Sequence, residues 1–137
     1  MESIKYILTF LGTIGVYLFG GLDVALQCLI LAIIIDYITG LMKSYKSQNL
    51  SSKIGIKGIF KKVGLLCLVA LGVAVDKVSG ANGIIRTAVI YYMFANEGLS
   101  IIENLSEMDI IVPAILKEKL QQYKSESDKK EKKWKIL

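Results

Sequence analysis

The sequence predicts an all-α, polytopic membrane protein. Four transmembrane helices, or three in an alternative reading, form two hairpins and are followed by a short cytoplasmic amphipathic helix. Three observations predict this. The 137 residues are 53% apolar with a mean hydropathy of +0.51, whereas soluble domains run near 45–50% apolar. The apolar residues gather in four blocks, about 4–22, 24–42, 59–76 and 84–102. Each approaches the roughly 20 residues that a helix needs to cross about 30 Å of hydrocarbon. The charges gather between the blocks, and unevenly.

Block 4–22 carries Gly12, Gly15, Gly20 and Gly21. It either crosses the bilayer or, in the three-span alternative, lies along the outer interface. Little positive charge precedes it, and no small-x-small cleavage site follows it, since Gln27 occupies the position in ALQC that should be small. It therefore reads as a retained segment rather than a cleaved signal. The few residues around Asp23 permit only a tight hairpin into block 24–42. That block contains Asp36, then Gly40 on the same helical face and Lys43 a turn further on.

The next stretch, KSYKSQNLSSKIGIKG, is a loop by its serines, Asn49 and glycines. Lys43, Lys46, Lys53, Lys57, Lys61 and Lys62 make it basic, with the last two snorkelling from the following helix end. With only Tyr45 and Phe60 as aromatics and no recognition module, the charge points to anionic headgroups and not to nucleic acid. Block 59–76 carries small residues, Gly64 and Gly72 among them, that let helices approach closely, either within the chain or between copies. It ends in Asp76-Lys77, and the glycine-rich turn SGANG leads to block 84–102. Arg86 sits near that block's start, within reach of the interface, and Asn96-Glu97 lie about two-thirds through it.

Residues 1–110 thus form the transmembrane domain, and 111–137 form the cytoplasmic amphipathic helix and charged tail. In the tail, Leu116, Leu120 and Tyr123 make a helical stripe after Pro113. SESDKKEKKWK beyond them is charge-dense and expected to be disordered. With four spans, every lysine and arginine except Lys77 and Arg86 falls on one side. Cationic loops stay in the cytoplasm, so both termini are expected there.

Intramembrane carboxylates cost about 2.5–3.5 kcal/mol on insertion scales and mark contacts or wet paths. Asp36, Gly40, Gly64, Gly72, Asp76, Arg86, Asn96 and Glu97 are therefore the candidates for helix assembly or a lumen. The bland alternative for Asp36 is water or a lysine near the inner headgroups. Asp36 and Glu97, at similar depth, either repel, share a proton or line one aqueous path. The sequence has no histidine, so histidine catalysis and histidine-bound metals are excluded. No nucleophile–base pair, phosphate loop or metal cluster stands out, which argues against an enzyme or a cofactor. Cys28 and Cys67 lie inside apolar blocks and read as small hydrophobes.

Four ordered segments, IDYITGLMKSY, LSSKIGIKGIFKKVGLLCLVALGVAVDK, RTAVIYYMFANEGLSIIENL and VPAILKEKLQQ, resemble the phage-lysis and toxin-secretion holin family of Gram-positive bacteria and their phages. The resemblance covers about residues 24–123. Asp36, Thr39, Gly40, Ser52, Gly55, Gly58, Lys61, Lys62, Asp76, Arg86, Glu97, Gly98, Ser100, Glu103, Asn104 and Pro113 carry it. It implies a protein of the bacterial cytoplasmic membrane that self-assembles into lesions. Through these an endolysin, or in one branch a large toxin, leaves the cytoplasm without direct contact being required. The resemblance brings no catalytic residues, and such proteins are often described with three spans. An antiholin partner fits the same features, and an antiholin regulator, a non-lytic exporter and a small ion channel remain the rival roles.

Overall fold

The second, third and fourth helices start where a carboxylate or hydroxyl accepts from their free N–H groups, and the first and third stop at left-handed glycines. The computed structural model describes residues 1–135, which form five helices. Helix α1 (Glu2–Phe19) ends at Gly20 with φ 75°, a left-handed conformation that glycine adopts without strain. A Cβ at Gly20 would also lie 2.9 Å from Arg86 Nε. Helix α2 (Val24–Lys46) is capped by Asp23, which accepts from Leu26 N–H at 3.0 Å. Helix α3 (Ser52–Ser79) is capped by Ser51 in the same way. Helix α4 (Ile84–Glu107) has no side-chain cap of its own. Asp76 of α3 supplies one, accepting from the N–H groups of Ile85 and Arg86 at 2.9 and 2.8 Å. Helix α5 (Ala114–Lys135) begins just after Pro113.

Two boundaries differ from expectation. The long basic loop shrinks to residues 47–51, because α2 runs through Lys46 and α3 begins at Ser52. The charged tail is helical through Lys135, consistent with the high helix propensity of lysine and glutamate. The last two residues of that 111–137 segment lie outside the described residues.

The ends of the helices fix the topology. Arg86, at the start of α4, pairs with Asp23 at the start of α2. Lys46, at the end of α2, pairs with Asp109 just past α4 at 2.8 Å. Helices α2 and α4 therefore run parallel with level ends, and α3 runs antiparallel to both. Leu26, Leu29 and Ile33 of α2, Val69 of α3, and Ile90 and Met93 of α4 form the core. Helix α1 has no buried residue. It rests on α3 rather than on α2, with the Lys77 ammonium 3.7 Å above the Tyr17 ring. The expected first hairpin thus exists as a turn but not as a packed pair. Helix α5 folds back along α4: Leu120 sits against Gly98, where a Cβ would come within 2.7 Å of it, and Tyr123 stacks on Tyr91 at 6.2 Å.

Candidate functional site

Within the apolar blocks several charged residues are buried while many large apolar ones face outward. Asp36, Asp76, Arg86 and Glu97 are each 8% exposed or less, whereas Leu31, Ile34, Leu68 and Leu71 are about half exposed. In water this arrangement would waste the hydrophobic effect and desolvate ions. In hydrocarbon it is the stable one, since charges inside a bilayer turn to the bundle interior and pair there. Helices α1, α2 and α3 are each long and apolar enough to cross a membrane. The exposed Cys28 and Cys67 belong to the outward faces.

Two ionic clusters stand at different levels of the α2–α4 pair, one just past mid-helix and one at the helix starts. In the first, Lys62 of α3 donates to both Asp36 of α2 and Glu97 of α4. Asn104 extends the network, its Nδ2 donating to Asp36 Oδ1 and Thr39 Oγ1, each at 3.1 Å. The Thr39 hydroxyl in turn donates to the Ile35 carbonyl at 2.8 Å. One ammonium thus joins three helices. Such a network fixes register, because a shift of any helix strands a buried charge.

In the second, at the helix starts, Arg86 grips the α1–α2 turn. Its guanidinium donates to Asp23 Oδ2 at 2.8 Å and Oδ1 at 3.1 Å, to the Gly21 carbonyl at 2.9 Å and to the Phe19 carbonyl. Gly72 lets α3 pass close by, since a Cβ there would lie 3.4 Å from the Arg86 Cα. Arg86 holds the Asp23 carboxyl below the ordinary aspartate value of 3.8. A lowered folded value means that the bond stabilises the fold fully above pH 3.8 and that this stability is lost as pH falls through the folded value. The thermal midpoint of the native chain in detergent should exceed that of Asp23→Asn at neutral pH. The difference should vanish in stronger acid, because both side chains are then uncharged.

Several candidates change role. Lys62 does not snorkel with the loop but turns inward, since two carboxylates within reach outweigh the headgroup surface. Asp36 does take a lysine as its partner, and that lysine is Lys62, so Asp36 and Glu97 share an ammonium. Arg86 is buried and does not reach for the interface. Asp76 caps α4. Gly40 faces Asn104, Asn96 is half-buried, and Gly64 has nothing within 4 Å of a Cβ, so the chain does not use it for its own packing. Lys43 and Lys46 pair with Glu107 and Asp109, while Lys53, Lys57 and Lys61 are exposed. Asn104 and Thr39 were marked by resemblance alone. Their signal is spacing: Arg86, Ile90, Met93, Glu97 and Asn104 lie on one stripe of α4, and Thr39 lies three residues after Asp36 on the same face of α2.

Apolar helices enclosing a shared ammonium define a helical membrane protein whose polar groups hold helices together. The bacteriophage holin family model matches residues 13–125. An uncharacterized Listeria monocytogenes protein is 41% identical over 122 residues, which cover 89% of this chain and 87% of that one. A Clostridium perfringens 14.9 kDa protein from the nagH 3′ region is 36% identical, covering 89% and 93%. The probable holin of Bacillus phage phi105 is 34% identical over 114 residues, 83% of this chain and 84% of its own. No solved structure matches. The chain belongs to the bacteriophage holin family.

Proposed function

We propose that the chain is a holin of the bacterial cytoplasmic membrane that crosses it four times with both termini inside. Copies assemble there into lesions through which an endolysin, or a comparably large toxin, leaves the cytoplasm. The role is non-enzymatic. The carrying observation is the inverted distribution of charge and oil, in a member of a holin family. Helix α4 is too polar in composition to stand among the three apolar spans, but its charges at Arg86 and Glu97 face inward. It lies parallel to α2 with level ends, which supports its crossing together with α2. The lysine distribution supports the proposed orientation.

This topology has a consequence for α5. Twelve residues follow Tyr123 to the end of α5, about 18 Å of helix, and they are rich in lysine. Docked along α4, they would lie at hydrocarbon depth, where each lysine costs about 2.5–3.5 kcal/mol. Insertion of α4 therefore requires α5 to swing to the cytoplasmic surface, uncovering Gly98 and Tyr91.

Induced expression with and without an endolysin tests the function, read by membrane potential and culture turbidity. The holin reading expects depolarisation by the chain alone and clearing only with the enzyme. An undiminished potential at full membrane abundance would contradict lesion formation and favour an antiholin role. Release of protein without loss of viability would favour a dedicated exporter.

A further inference from the structure

A cavity of about 230 Å³ opens between α2, α3 and α4 on the cytoplasmic side of the Asp36–Lys62–Glu97 cluster. Its lining includes Lys43, Lys61, Ser44 and Ser100 beside the apolar Leu41 and Ile54. Lys61 makes no ion pair among the described residues, and Lys43 has only Glu107, at 3.6 Å. The recess thus holds one cation without an ion pair and a second held only loosely, beside the matched Asp36–Lys62–Glu97 cluster. Lys43 stands twenty residues past Asp23, about 30 Å along α2, which is the thickness of the hydrocarbon layer. The cavity mouth therefore falls at the inner headgroup level.

We propose that this cavity binds the phosphate of an anionic phospholipid, with Lys43 and Lys61 as the charged donors and its acyl chains along Leu41 and Ile54. Basic pockets between helices on the cytoplasmic side suit such headgroups. The site rests on the transmembrane reading above. A bound lipid would bridge α2 and α3 just beyond the Lys62 network, so lipid composition would bear on how firmly the bundle holds together.

The full chain in detergent is titrated with phosphatidylglycerol, phosphatidylcholine and inorganic phosphate, and occupancy is read by native mass spectrometry. Phosphatidylglycerol should bind far more tightly than phosphatidylcholine. The K43Q/K61Q variant should bind it about thirtyfold more weakly, at about 1 kcal/mol for each lysine. K53Q/K57Q removes the same charge from exposed positions outside the cavity and should bind as the native chain does, and K43R/K61R should retain binding. Equal losses in the two glutamine variants overturn the site, as does indifference between the two lipids. Inorganic phosphate binding as tightly as the lipid overturns the lipid assignment. Flotation with vesicles separates the failures: a chain that floats but shows no preference loses the site alone. One that floats with no vesicle loses the membrane reading as well.

Discussion

Replacing Lys62 with methionine is expected to cost about 3–5 kcal/mol, because it leaves two buried carboxylates without their shared cation. Lys62 is 12% exposed in its side chain, and Asp36 and Glu97 are 9% and 4% exposed, so the carboxylates stay largely desolvated once the partner is lost. The variant should accumulate poorly in the membrane and unfold at a markedly lower temperature in detergent. The triple variant D36N/K62M/E97Q removes the stranded charges and should recover most of that loss, although Asn104 then bonds to an amide rather than a carboxylate. Such recovery would show that the cluster specifies how α2, α3 and α4 align more than it adds net stability. Native-like stability for Lys62→Met alone would mean that the three side chains are not one network.

Tethering α5 to α4 is expected to abolish lesion formation reversibly. Tyr91 and Tyr123 stack, so cysteines at those two positions, in a chain whose Cys28 and Cys67 are replaced by alanine, would pin α5 in its docked place. Vesicles loaded with a large fluorescent dextran should stay sealed when the oxidised protein is added and should leak once a reductant is supplied. The singly substituted chains should leak regardless of redox state. Equal leakage from the oxidised and reduced double variant would show that α5 stays on α4 in the working protein.

The four apolar blocks are all helices, and the intramembrane carboxylates singled out for their cost are buried. Those features are local, because hydropathy and insertion cost depend on the residues themselves. Partner choice was not legible. Lys62 sits between the exposed Lys61 and Val63, and nothing in a single sequence distinguishes the paired lysine from its neighbour. Only the position of α3 against α2 and α4 does so. Arg86 looked interfacial because it is near a helix start, yet the α1–α2 turn folds over it and supplies carbonyls and Asp23. Asp76 read as a helix-end charge, and its service to the next helix depends on how the SGANG turn closes. The docking of α5 was hidden as well, since Leu116, Leu120 and Tyr123 fit a membrane surface as well as they fit Gly98 and Tyr91.

The most direct test of the account is topology mapping with single cysteines at Asn82 and Gln48, in the chain lacking Cys28 and Cys67, using a membrane-impermeant maleimide on intact cells. A chain that crosses four times with lysines inside should be labelled at position 82 without permeabilisation and at position 48 only after it. Labelling at position 48 from outside, or protection of position 82 in intact cells, would contradict it.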